Sequence, residues 1–189
     1  MKFKKQLFGF QDMLRFKKLV PNRRAALAAG PDTPLPKSYR TNELAHRLHP
    51  GYMEVELTAV RPLSANMTEL TFRRVDETAF PFFRAGQYVS LQAEVDGSLV
   101  SRPYSIASSP RDALAGKLVI ERAGFFSEYL CTRAKPGDRM RMTEPSGEFH
   151  YETLRDKHRI VGIAGGSGIT PFVSMAGSLA DGDEDYSMT

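Results

Sequence analysis

The 189 residues, 41% hydrophobic and 25% charged, supply one full domain and a piece of another, and this composition excludes a disordered or collagen-like chain. Cys131 is the only cysteine, which excludes an intrachain disulfide, an all-cysteine zinc site and a four-thiolate iron-sulfur cluster. Residues 1–50 carry 11 Lys or Arg against 3 Asp or Glu, net +8, whereas residues 51–189 carry 15 against 19, net −4, so the basic balance belongs to the leader and nucleic-acid binding is not expected.

Within the first twenty residues Phe3, Leu7, Phe10 and Leu14 recur at helical spacing among Lys2, Lys4, Lys5, Arg15, Lys17 and Lys18, which predicts a short basic amphipathic helix. Such a helix suits docking on a membrane surface or a partner subunit. It equally suits a helix folded onto its own domain, or a frayed leader. The run PNRRAALAAGPDTPLP, residues 21–36, has the composition of a linker. No run approaches the roughly 20 apolar residues that span a bilayer, and no signal-peptide core follows the basic start, so the cytoplasm is the expected compartment.

From Met53 the period changes to two. Val89, Leu91, Ala93 and Val95 alternate with Ser90, Gln92 and Glu94, and Met140 and Met142 alternate with Arg139 and Arg141, as half-buried antiparallel strands require. Turn signals at Asp96-Gly97, Ala115-Gly116 and Pro136-Gly137-Asp138 separate the runs. Strands are predicted near 53–61, 67–74, 87–96, 99–108, 117–123 and 139–144, with one helix near 127–134. Six short strands and a helix point to a small closed barrel, because closure removes exposed edges.

The period changes once more at Arg159. Residues 159–164, RIVGIA, form an apolar run suited to burial on both faces of a parallel sheet, followed by Gly165-Gly166-Ser167-Gly168 and a predicted helix over 169–180 with Pro171 in its first turn. This is the opening strand, loop and helix of a dinucleotide-binding fold. One strand and one helix cannot bury a parallel sheet, so the remainder is expected to be missing or to come from another chain.

Two segments suit a ligand with a flat ring and phosphates. In Arg102-Pro103-Tyr104-Ser105 the arginine offers a fork to a phosphate, the tyrosine a flat face and the serine a hydroxyl. Arg102 and Tyr104 share one side of a strand and Ser105 the other, so a bend or bulge is needed for all three to reach one ligand. In Gly124-Phe125-Phe126-Ser127, which opens the predicted helix, exposed N–H groups make a seat for a diphosphate. A glycine and serine there also make an ordinary helix cap.

The ordered motifs RPYSIASSP, GFFSEYL, EPSGEF and GIAGGSGITPF resemble the ferredoxin-NADP reductase superfamily over about residues 53–180. The resemblance implies a mainly β fold: a six-stranded antiparallel Greek-key barrel with a capping helix, holding FAD over 51–153. A basic leader and linker over 1–50 precede it, and an incomplete nicotinamide-binding α/β domain over 154–189 follows. It implies that Arg102 neutralises flavin phosphate, that Tyr104 packs on the ring, and that Ser105 hydrogen-bonds near the reactive nitrogen, Pro103 lying between them. It further implies that Gly124, Phe125, Phe126 and Ser127 hold the diphosphate, with Ile120, Glu121 and Arg122 alongside the flavin. Gly165, Gly166, Gly168 and Thr170 match the nicotinamide-nucleotide loop; a tight turn without a ligand is the other reading of those glycines. NAD(P)H is the implied co-substrate. The implied acceptor is a one-electron carrier such as a ferredoxin, a haem or an iron-sulfur domain elsewhere.

No metal site is expected, since His46, His49, His150 and His158 share no ligand spacing with cysteines or carboxylates. Cys131 reads as a small buried hydrophobe in the predicted helix. Two rival functions stay open at this level: a flavin-bearing electron-transfer or regulatory subunit with no nicotinamide reaction of its own, and a cofactor-free docking barrel.

Overall fold

The period-two runs fold as antiparallel strands in the computed structural model, which describes residues 8–30, 39–112 and 114–189. The chain divides into two units between Tyr39 and Arg40.

The first unit carries helix α1, Phe8–Ala28, which runs through Pro21. Residues 21–28, expected as linker, are therefore helical. The reason is the run Arg23–Ala28, rich in strong helix formers, which outweighs the single N–H that proline removes. Lys2, Phe3, Lys4, Lys5 and Leu7 of the expected amphipathic stripe, and residues 31–38 of the expected linker, lie outside the described residues.

The second unit opens with a helix the sequence reading did not anticipate, α2 at Arg40–Leu48. Its Leu44 and Leu48, one helical turn apart, border a cleft shared with Phe80, Pro81 and Phe82. That spacing was the available signal.

Six strands follow: β1 Tyr52–Pro62, β2 Met67–Arg74, β3 Tyr88–Val95, β4 Ser98–Ser105, β5 Gly116–Glu121 and β6 Arg139–Thr143. They form one antiparallel sheet in the order β4-β3-β6-β1-β2-β5. The alternation is obeyed along β2, β3, β5, β6 and the first half of β1, whereas β4 is exposed over most of its length and is half-buried only at Val100, Tyr104 and Ser105. Val55 and Leu57 of β1, Leu70 and Phe72 of β2, Val89 and Leu91 of β3 and Ile120 of β5 are completely buried, each contributing about 1.5–3 kcal/mol of burial. The outward faces carry ion pairs directly across the register: Glu56 opposite Arg73 and Arg139, Glu54 opposite Arg141, and Arg61 opposite Glu69 with Nη2–Oε2 at 2.8 Å.

β4 and β5 are the two outermost strands in that order, yet the sheet curls until they meet. The chain leaving β4 bridges to β5 at Ile106 and Leu118, and the Ala107 N–H donates to the Lys117 carbonyl at 2.8 Å. Helix α3, Phe125–Thr132, plugs the barrel with Phe126 and Leu130.

The last segment departs from expectation. Strand β7 is only Arg159–Ile160, and Val161 and Ile163, expected to be buried on both faces, are 72% and 89% exposed. The acidic end of the chain, read as a tail after a single strand and helix, turns back instead. Ser187–Met188 forms β8, parallel to β7, after a 3-10 turn at Gly166–Ile169 and helix α4 at Thr170–Ala180. Tyr186 is buried and stacks on Tyr151 with ring centroids 4.2 Å apart, an anchor that fixes the returning strand. A two-stranded sheet has no second layer over Val161 and Ile163, which leaves them at the surface.

α4 sits on the loop that follows β4. The buried Ser174 hydroxyl donates to the Ser108 carbonyl at 2.7 Å, and a side chain on Gly177 would come within 3.2 Å of Ser109 Cβ. Small residues on both sides permit this approach. The loop after the Arg102–Ser105 motif is thereby held in place.

Candidate functional site

Closure of the barrel creates the site. Arg102, Pro103 and Tyr104 on β4, Glu121 at the end of β5, and Ala123 to Ser127 at the start of α3 line one cleft of about 340 Å³. Sequence reasoning named all of these except Ala123, which carries no functional group to flag it.

Arg102 is exposed at this cleft, and its Nη1 donates to the Ser101 carbonyl at 2.7 Å. No carboxylate among the described residues lies within ion-pair distance of it, whereas Arg122 and Arg133 nearby are paired with Glu128 and Asp96. Its charge is therefore available to an incoming anion. At the start of α3, Ser127 Oγ accepts the N–H groups of Ala123 and Gly124, at 3.0 and 2.9 Å, and donates to the Gly124 carbonyl. That hydroxyl is thus committed to the cap. The N–H groups of Phe125, Phe126 and Ser127 have no acceptor among the described residues, and they remain as the helix's anion-facing donors.

Tyr104 is half-buried, its ring centroid 6.3 Å from that of Phe126 and tilted by 35°, and Phe126 in turn stacks over Tyr129. Burial, with a smaller push from Cys131 and an opposing pull from Arg102, raises the Tyr104 phenol from 10.0 to about 12. It is neutral at physiological pH. Because the folded value lies above the ordinary one, Tyr104 contributes stability in full below pH 10 and loses it as pH rises towards 12. Denaturant unfolding across that window is expected to show a steeper alkaline loss in the wild type than in Tyr104→Phe. Superimposable profiles would refute this assignment.

The other named residues are placed differently. β4 pairs with β3 in unbroken register from Ser98 to Ser105, so the bulge considered for Ser105 does not occur. Ser105 ends the strand at the barrel's closing edge, half-buried, its hydroxyl without a partner among the described residues. Ile120 points into the core with no exposed surface, and Arg122 is exposed and lies 3.5 Å from Glu128. Cys131 is part-buried, 3.7 Å from the Ile120 carbonyl, and burial pushes its thiol up.

In the glycine-rich loop Gly165 is extended, Gly166 has φ +55°, and Gly168 lies in the 3-10 turn. Thr170 is buried and its hydroxyl donates to the Ser167 carbonyl at 2.7 Å. The Ser167 N–H is engaged by the Glu121 carboxylate at 3.1 Å.

A separate cleft of about 500 Å³ lies against Arg84, Arg111, Glu152 and Asp183. Its two arginines are already paired, with Glu152 and Asp183, so it offers an anion less than the β4–β5 cleft does. Among the described residues no three His, Cys, Asp or Glu gather as a metal site, and no helix is long and apolar enough to cross a membrane.

The β4–β5 cleft therefore combines a free guanidinium, three unused helix-start amides and aromatic faces. That set fits a flat ring carrying a diphosphate, as FAD does. Residues 54–151, just over half of the chain, match the family model described as an oxidoreductase FAD-binding domain. The chain is 41% identical over 124 residues to ferredoxin-NADP reductase B of Sorangium cellulosum, covering 65% of this chain and 50% of that protein. It is 31% identical over 138 residues to the carnitine monooxygenase reductase subunit of Escherichia coli, covering 71% and 42%. It thus spans half or less of the length of these relatives. In fold it is similar to the flavohem-like FAD/NAD binding domain of nitric oxide dioxygenase from Vibrio cholerae, with a TM-score of 0.64 and 23% identity over 71% of this chain and 59% of that one.

Proposed function

The chain belongs to the oxidoreductase FAD-binding domain family, and from that premise we propose that it is the flavin-carrying part of a reductase that moves electrons from NAD(P)H to a one-electron carrier. The observation that carries this reading is the convergence of unpaired Arg102, the free amides of Phe125 to Ser127 and the face of Tyr104 on one cleft.

FAD, when bound, supplies the conversion between a two-electron donor and a one-electron acceptor. The residues of this chain bind and orient it. Arg102 and the α3 amides offset the diphosphate charge. Tyr104, backed by Phe126, offers a neutral flat face. Ser105, with its hydroxyl unengaged, ends β4 where the chain turns towards β5 at Ile106, and that turn, in place of a bulge, is assigned to bring it to the ring edge, where it would exchange a hydrogen bond with a ring nitrogen. Glu121, at the end of β5, is assigned to flank the ring with its side chain, while Ile120 and Arg122 on either side of it are assigned to run alongside through their backbone, since Ile120 faces the core and Arg122 is paired with Glu128. Gly165, Gly166, Gly168 and Thr170 form the loop assigned to the nicotinamide nucleotide.

The named relatives are a ferredoxin-NADP reductase and the reductase subunit of a monooxygenase, which supports a ferredoxin, haem or iron-sulfur acceptor for this chain as well. The leader, net +8 over residues 1–50, is assigned to docking on a partner subunit or an anionic membrane surface. The reaction is assigned to the cytoplasm, where NAD(P)H is found.

The test is the visible spectrum of the purified protein, followed by anaerobic addition of NADH or NADPH. Flavin bands, release of FAD on denaturation and bleaching by a nicotinamide are expected. A colourless protein that takes up no added FAD would overturn the proposal. A flavin that no nicotinamide bleaches would instead support an electron-transfer subunit without its own nicotinamide reaction. One contact favours that second reading: the glycine-rich loop already holds an anion, the carboxylate of Glu121.

A further inference from the structure

Glu121 belongs to two places at once. It ends β5 and lines the cleft with Arg102 and Tyr104, and its carboxylate also reaches the glycine-rich loop. There Oε2 accepts the Ser167 N–H at 3.1 Å and lies 3.2 Å from where a side chain on Gly166 would begin. Ser167 lies in the 3-10 turn that runs directly into α4, so its N–H points out of the positive end of a helix. No cation among the described residues lies within ion-pair distance of Glu121. Its charge is balanced in this structure by the loop itself.

An amide at a helix start that binds a carboxylate cannot bind a phosphate oxygen at the same time. Resting on the reading of this loop as a nicotinamide-nucleotide seat, we propose that Glu121 is the residue that sets the loop's affinity for pyrophosphate-bearing ligands. Its carboxylate occupies the phosphate position and ties the loop to the barrel. A dinucleotide enters by displacing it. Gly166, with φ +55° and no side chain, leaves room for the exchange, since any larger residue would press on the carboxylate. The displaced carboxylate stays on the wall of the β4–β5 cleft, so occupation of the loop changes the charge facing that cleft.

Glu121→Gln keeps the acceptor and the shape but removes the charge; Glu121→Ala removes both. In the full chain loaded with FAD, calorimetric titration with inorganic pyrophosphate and with NAD+ and NADP+ is expected to show about tenfold tighter binding in both variants at low salt, a gain that narrows as salt screens the lost repulsion. Hydrogen exchange over residues 166–168 is expected to speed up at least tenfold in Glu121→Ala and to slow again when pyrophosphate is added. Equal binding by all three proteins, with unchanged exchange at the loop, would overturn the role of Glu121 while leaving the loop as a nucleotide seat. Absence of binding in every form, Glu121→Ala included, would overturn the nicotinamide reading itself, and the inference with it.

Discussion

Arg102→Ala is expected to lose FAD on purification, with retention weakened by about 10- to 100-fold. A charge-assisted hydrogen bond to an anion is worth about 1.5–3 kcal/mol, and each 1.4 kcal/mol is a factor of ten. The expectation follows from Arg102's lack of a carboxylate partner among the described residues, its Nη1 donating only to the Ser101 carbonyl, so that no protein group offsets its charge. Arg102→Lys preserves the charge without the planar fork, and its retention should fall between the two. The flavin-to-protein absorbance ratio after gel filtration, with FAD titrated back by fluorescence, measures the effect. An alanine variant that emerges with a full complement of flavin would remove Arg102 from the site.

Gly86→Ala should be the most damaging single substitution in the barrel. Gly86 has φ +103°, a conformation that side-chain-bearing residues rarely adopt, and an added Cβ would fall 2.1 Å from the Phe149 carbonyl oxygen and 2.6 Å from Met175 Cε. Methionine's end can swing aside; a backbone carbonyl cannot without moving its chain. Strain of this kind together with a forced backbone shift is expected to cost about 3 kcal/mol or more, which lowers Tm by roughly 6–12 °C for a chain of this size. Thermal unfolding measures it, and a Tm within about 2 °C of wild type would show that the approach is not tight. The effect should reach the site as well. Phe149 packs edge-on against Phe172 of α4, ring centroids 5.5 Å apart, and Met175 lies on the same helix. A displaced Phe149 therefore disturbs the helix that follows the glycine-rich loop.

Where the local pattern has a single physical solution, the sequence was enough to read it. Alternation at Val89, Leu91, Ala93 and Val95 can bury those four side chains together only in a strand, and the structure has β3 there. Residues 21–28 were less legible, because a proline and scattered alanines suit a linker and a helix alike, and helix propensity prevailed. The short β8 was hidden inside an acidic tail. Two paired residues are too few to make a period, and what stabilises them is the stacking of Tyr186 on Tyr151, thirty-five positions away.

The chemistry divides along the same line. The residue types needed for a ring and a diphosphate were legible in RPYS and GFFS, because phosphate and flat rings demand specific groups whatever the fold. Their convergence was not, since β4 and β5 stand at opposite ends of the strand order and only the curl of the sheet, closing at Ile106 and Leu118, sets them side by side. Nor could spacing show that Ser127's hydroxyl is consumed by its own cap, or that Glu121 reaches forty-six residues along the chain to the Ser167 amide. Sequence alone thus determined which groups are available, through the side-chain inventory and its local periodicity. Tertiary structure decided which of them meet, because contacts between distant residues depend on closure and packing that no local pattern encodes.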